Sequence, residues 1–199
     1  MMHDSESLLA LIAFSFVISV TPGPNNLLLL SSGLNFGLRR TGWHMLGILW
    51  GTYLMICLVG VGLGALLAAV PAVQITLKLA GSIYMLCLAR QFWRVGASQA
   101  GHVLRPIRFG EAVLYQLANP KVWLIATTVI AGFVPAGGQY LESVLATALV
   151  FCLTALPGIG IWAASGATLL AWIKDPAGVR RINRGMAVLT AATAPLLWL

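Results

Sequence analysis

Residues 8–32 read LLALIAFSFVISVTPGPNNLLLLSS, an apolar run without a charged residue and with Thr21-Pro22-Gly23-Pro24-Asn25-Asn26 at its centre. A helix needs about 20 apolar residues to cross the hydrocarbon core of a bilayer, and this run is longer. Its two halves therefore demand a spanning helix that its middle forbids from being continuous. Pro22 and Pro24 cannot donate, so the carbonyls of Ile18 and Val20 lose their partners four residues on. A proline inside a helix costs about 3 kcal/mol. Two of them, with Gly23 adding backbone freedom, predict an unwound stretch rather than a bend. Pro24 suits the first position of a new half-helix, leaving the N–H groups of Asn25, Asn26 and Leu27 unpaired.

The rest of the chain agrees with a lipid environment. Of its 199 residues 59% are hydrophobic and 9% charged, with a mean hydropathy of +0.91. A soluble domain carries about 25% charged residues, and so apolar a surface would aggregate in water. Six apolar stretches stand out, at 7–34, 43–70, 73–93, 110–134, 141–173 and 182–199, the last of them short. The first has an acidic front, Asp4 and Glu6, and no basic leader, so it is read as a retained helix and not a signal peptide. The expected fold is an all-α integral membrane protein of six transmembrane helices forming a single domain.

Ten of the twelve Lys and Arg residues lie in the odd-numbered connections: Arg39 and Arg40; Arg90, Arg94, Arg105 and Arg108; Lys174, Arg180, Arg181 and Arg184. The even-numbered connections hold none. Odd connections share one side only if each stretch crosses once, and the positive-inside rule makes that side cytoplasmic. Both termini are then expected outside. The same placement explains the net charge of +7 without nucleic acid as a partner.

A second interruption, Asn119-Pro120-Lys121, lies in the fourth stretch. Pro120 removes the donor to the Gln116 carbonyl, and ten residues from Phe109 place the break about 15 Å deep, near the midplane. Lys121 is a basic residue deep in an apolar run, and a charge there costs between about 2.5 and 3.5 kcal/mol on insertion scales unless it faces a polar cavity or a partner. It is either a ligand-binding cation or a structural counter-charge to carbonyls such as those of Thr21 or Ala118. The two breaks head corresponding three-helix halves, about 1–94 and 109–199, joined by a basic linker at about 95–108. An odd number of helices per half makes the second half inverted, and interrupted helices in matching places mark the binding site of a transporter. Half-helix N-termini offer positive dipole ends to an anion, and freed carbonyls offer acceptors to a cation. A zwitterionic amino acid has both groups.

Several classes are excluded or disfavoured. No phosphate-binding G-x-x-x-x-G-K-[ST] loop is present, and no room remains for a nucleotide-hydrolysing domain. No G-x-S-x-G, H-E-x-x-H or intramembrane aspartate pair supports an enzyme. Cys57, Cys87 and Cys152 lie singly in apolar runs, and His44 and His102 lack metal-site partners, so neither metal nor cofactor is called for. A non-transporting structural or regulatory membrane subunit is the alternative to a transporter. Gly47 with Gly51 and Gly60 with Gly64 favour packing within the bundle over a dedicated dimer face, leaving a homo-oligomer open.

Thr21-Pro22-Gly23-Pro24-Asn25, the stretch from Gly42 to Gly51, Lys78 to Met85, and Phe109-Gly110 followed by Asn119-Pro120-Lys121 resemble the LysE/RhtB translocator family of bacterial amino-acid exporters. The resemblance runs over nearly the whole chain. It implies an inner-membrane exporter of small amino acids or their derivatives, driven by the proton-motive force. The doubled Asn25-Asn26 looks more like the branch handling cysteine, O-acetylserine and other neutral amino acids, and no Asp or Glu lies deep in a span to meet a cationic substrate. The candidate substrate-binding residues are Thr21, Pro22, Gly23, Pro24, Asn25, Asn26, Asn119, Pro120 and Lys121. Tyr84 and Gln116 are candidates to line the path, and Glu111 is the candidate for proton coupling.

Overall fold

The computed structural model describes residues 5–62, 69–95, 105–172 and 175–195. Among these residues seven helices follow in chain order: α1 (Ser5–Val20), α2 (Pro24–Gly60), α3 (Pro71–Val95), α4 (Phe109–Ala118), α5 (Pro120–Phe133), α6 (Tyr140–Trp172) and α7 (Pro176–Thr193). No strand occurs among the described residues.

α2 is two antiparallel arms rather than one rod. Gly37 has φ 75° and ψ 168°, a conformation essentially confined to glycine. Nine residues of continuous helix would separate Ser32 and Thr41 by about 13.5 Å. Their hydroxyls instead lie 3.0 Å apart, so the chain doubles back at Gly37. The arm 38–60 therefore begins before residue 43, where the apolar stretch was expected to start. Similarly, α7 starts at Pro176 and not at 182, because the Asp175 carboxylate accepts from the Ala177 N–H and caps a first turn that hydropathy does not register. Gly64, His102, Lys174, most of the 95–108 linker and the end of the last stretch lie outside the described residues.

The core divides into two main apolar clusters. One gathers Leu11 of α1, Met55 and Ile56 of α2, Val122, Ile125 and Val129 of α5, and Ala148 and Phe151 of α6. The other gathers Leu28 and Leu34 of the arm 24–36, Met85 and Leu88 of α3, Tyr115 of α4 and Met186 of α7. Where helices meet, small residues let backbones touch, as expected when lipid removes the hydrophobic drive to associate. A Cβ on Gly47 would meet the Phe109 carbonyl and Ala112, and one on Gly51 would meet Gln116 and Val113. That spacing seats the arm 38–60 on α4, which is packing inside the bundle. A second seam was not singled out from the sequence. Gly33 lies against Ala163 and Ala167, Gly166 against Leu30 and Leu34, and Gly158 against Ser19, locking α6 onto α1 and α2. Pro157 lies within α6 without ending it.

The outer surface is apolar on most helices: Leu9, Trp43, Ile83, Leu114, Leu124 and Leu153 are each more than 60% exposed. Among the described residues, Tyr140–Leu169 is long and apolar enough to cross a bilayer by the usual length and composition criteria, as is Pro24–Gly60 when its two arms are counted together. So large an apolar exterior needs lipid.

Candidate functional site

At the first interruption α1 ends at Val20 and α2 starts at Pro24. The Thr21 N–H still reaches the Val17 carbonyl at 3.0 Å, and the next carbonyls then look elsewhere for donors. The Val20 carbonyl accepts from the indole Nε1 of Trp162, on α6, at 3.0 Å. Asn26 Nδ2 donates to the carbonyls of Ser19 and Thr21, each at 2.8 Å. The Asn26 and Leu27 N–H groups donate to the Gly23 carbonyl at 3.0 and 3.1 Å. Of the backbone groups expected to stand open to a ligand, the Val20 carbonyl and the N–H groups of Asn26 and Leu27 are engaged within the protein. A buried polar group left unpaired costs about 1–3 kcal/mol, which is why the fold brings Asn26 and Trp162 to them.

At the second interruption Asn119 lies between α4 and α5, with φ −94° and ψ 109°. Its Oδ1 accepts from the Lys121 N–H at 3.1 Å, and its carbonyl accepts from the Val122 and Trp123 N–H groups at 3.0 and 3.4 Å. Asn119 is thus the N-cap of α5. The Gln116 carbonyl, expected to be freed by Pro120, accepts instead from the Asn119 N–H at 3.2 Å. The Leu117 carbonyl accepts from Trp123 Nε1 at 2.8 Å. One donor stays open: Asn119 Nδ2 is buried and has no hydrogen-bond partner among the described residues.

The interruptions meet. Lys121 Nζ donates to the Thr21 carbonyl at 2.7 Å, and Asn25 Nδ2 donates to Gln116 Oε1 at 2.8 Å. Gln116 is held for that contact by its own Nε2, which donates to the Ala112 carbonyl at 2.6 Å. The lysine stem lies across Gly23, where an added Cβ would come within 3.1 Å of Lys121 Cδ and 3.3 Å of Nζ. Gly23 itself is extended, with φ −177° and ψ 174°, a conformation any residue adopts. Its value is the missing side chain, not the backbone freedom the sequence suggested.

A cavity of about 40 Å³ opens at this crossing, lined on its polar side by Gly23, Asn25, Asn26, Lys121, Ser19 and Thr52. That is room for about three waters, so the walls must part to admit anything of amino-acid size. The opposite side is apolar, formed by Ile48, Val122, Phe151 and Ile159 among others. Four of the expected residues thus line the cavity, Thr21 contributes its carbonyl, and Asn119 caps the helix that carries Lys121. Pro22 and Pro120 are exposed and Pro24 is buried; all three shape the chain. Gln116 belongs to the crossing through Asn25.

Glu111 does not reach it. Its carboxylate is ion-paired with Arg105 and accepts from the Arg108 N–H at 3.0 Å, capping the first turn of α4. The Tyr84 side chain lies outside the described residues. Sequence reasoning missed Ser19, Thr52 and Cys152 on the cavity wall, and Trp162 behind it. Thr52, one residue after Gly51 on the tightly packed arm, carried a faint signal, whereas nothing local marks Trp162. Cys152 is a free thiol whose Sγ lies 3.3 Å from the Leu49 carbonyl. Among the described residues no three His, Cys, Asp or Glu side chains gather as metal ligands would.

Fold and crossing together define a multi-pass helical membrane protein with a polar junction between apolar clusters. The chain belongs to the LysE type translocator family, which matches residues 16–197. It is a transporter and not an enzyme, as that family is. It is 30% identical over 157 residues to the cysteine/O-acetylserine efflux protein of Escherichia coli (strain K12), covering 77% of this chain and 78% of that one. The proteins of the same description from Shigella sonnei (strain Ss046) and Shigella flexneri serotype 5b (strain 8401) match with the same identity and coverage. No solved structure matches it.

Proposed function

We propose that the protein exports a small neutral amino acid or amino-acid derivative from the bacterial cytoplasm across the inner membrane, driven by the proton-motive force. The observation that carries this reading is the junction itself: Lys121, bonded to the Thr21 carbonyl, and Asn25, bonded to Gln116, line one cavity where the helices on either side of the prolines meet. The substrate carboxylate pairs with Lys121 Nζ and takes the open amide of Asn119. The ammonium meets the Thr21 carbonyl, which the lysine releases, and the Asn25 amide oxygen. Phe151, Ile48 and Ile159 leave the remaining wall apolar and without a carboxylate, which favours an uncharged side chain.

The six-span inverted repeat is part of the proposal. The distribution of the half-helices supports it: α1, before its break, shares a cluster with α5, after its break, while the arm 24–36 and α4 share the other. Two interrupted spans running in opposite directions would pair their halves in that way. The arginine-bearing connections then face the cytoplasm and both termini face out. Export proceeds as one half rocks against the other about the junction.

The test is substrate uptake into inside-out vesicles energised by a proton gradient. Lys121→Ala, and separately Pro22→Ala with Pro24→Ala, should abolish uptake at matched protein levels. Wild-type rates in both would overturn the site, and uptake unaffected by a protonophore would overturn the coupling.

A further inference from the structure

A second cavity, of about 380 Å³, lies where the arm 38–60 and α4 begin, at the end of the bundle bearing the Gly37 reversal. Its walls carry three guanidinium groups, Arg40, Arg105 and Arg108, together with the rings of Trp43 and Phe109. The adjacent carboxylate is that of Glu111, already ion-paired with Arg105. Arg40 and Arg108 are exposed and have no carboxylate in salt-bridge reach among the described residues. Three positive charges against one negative leave the mouth with a surplus of two.

The apolar wall continues beyond the cavity. Trp43, Leu46 and Trp50 recur at spacings of three and four, so they share one helix face, and they are 66%, 50% and 51% exposed. A tryptophan at such a position marks the membrane interface. A soluble phosphate would find only the charged mouth here. A molecule with a phosphodiester and an acyl chain would use both the mouth and the strip.

We propose that this cavity is a specific site for an anionic glycerophospholipid. Its phosphodiester is held by Arg40 and Arg108, and an acyl chain lies along Trp43, Leu46 and Trp50. Basic pockets between membrane helices bind anionic headgroups by the same chemistry. The site is separate from the Lys121 junction and does not depend on what is transported.

The experiment titrates phosphatidylglycerol onto the purified full chain in phosphatidylcholine nanodiscs, reading bound lipid by native mass spectrometry and the thermal unfolding midpoint. Phosphatidylglycerol should raise the wild-type midpoint, and glycerol 3-phosphate at the same concentration should not. Arg40→Gln with Arg108→Gln, both exposed, should fold normally and weaken phosphatidylglycerol binding by about thirtyfold. Arg181→Gln, exposed and outside the cavity, should bind as wild type does. Equal weakening by Arg181→Gln would mean diffuse attraction to a basic surface and overturn the site. A midpoint shift from glycerol 3-phosphate would reassign it to soluble phosphates, and unchanged binding in the double variant would refute it.

Discussion

Gly23 and Lys121 show how the side chain a residue lacks can matter as much as those around it. Any residue could take the extended backbone of Gly23, but a methyl group there would crowd the lysine that reaches across it to Thr21. Because the crowded atoms are the end of a flexible side chain, Gly23→Ala should leave the unfolding midpoint nearly unchanged while lowering transport. A variant that melts early, or transports normally, would contradict this account. Trp162 should behave in the opposite way. Its indole satisfies the carbonyl that Pro24 deprives of a helical donor, so Trp162→Phe leaves a partly buried acceptor unpaired. The expected cost is about 1–3 kcal/mol, measurable as a lowered midpoint in detergent. A midpoint equal to wild type would mean that another donor replaces it.

Among the helices, α6 is the spine on which the interrupted α1 and α2 are laid. Its small residues bring backbones into contact, and a Cβ on Gly166 would fall on the Leu30 carbonyl, as one on Gly33 would fall on that of Ala163. Backbone cannot swing aside as a lysine stem can. Gly166→Ala should therefore force the helices apart at a cost of about 1–3 kcal/mol. Gly42 is the control, since it is helical with nothing near an added Cβ, and Gly42→Ala should stabilise by up to about 1 kcal/mol. Chemical denaturation of the two variants side by side checks the prediction; equal effects would mean the seam is not tightly held. Gly37 is different again, because there the φ of 75° itself demands glycine for the chain to reverse.

On the scale of the molecule, the polar junction divides the two apolar clusters, and a second amide pair ties the bundle nearby. Asn35 Nδ2 donates to Asn183 Oδ1 at 3.1 Å, joining the arm 24–36 to α7, while Asn183 Nδ2 lies 3.3 Å from Asn35 Oδ1. If export requires one half to rock against the other, this pair must part during the cycle. A short bifunctional thiol reagent joining Asn35→Cys to Asn183→Cys should therefore stop export, and each single variant treated alike should still work. Export at full rate with the link verified by mass spectrometry would show that the two elements move together.

Apolar runs long enough to span determined by themselves that this chain is helical and lives in lipid, because hydrophobic length is a local property; α1 ends at Val20 and α4 at Ala118, beside prolines that lack an N–H donor. The arginine pattern, likewise local, carried the expected topology. Only the tertiary structure decided which groups satisfy the broken backbone, since Asn26 and Trp162 reach the carbonyls of Ser19, Thr21 and Val20 from another turn and another helix. It also decided that Glu111 caps α4 away from the cavity and that Thr52 and Phe151 complete the cavity wall. Hydrogen bonds across such sequence separations depend on how the helices cross, and no local pattern encodes that.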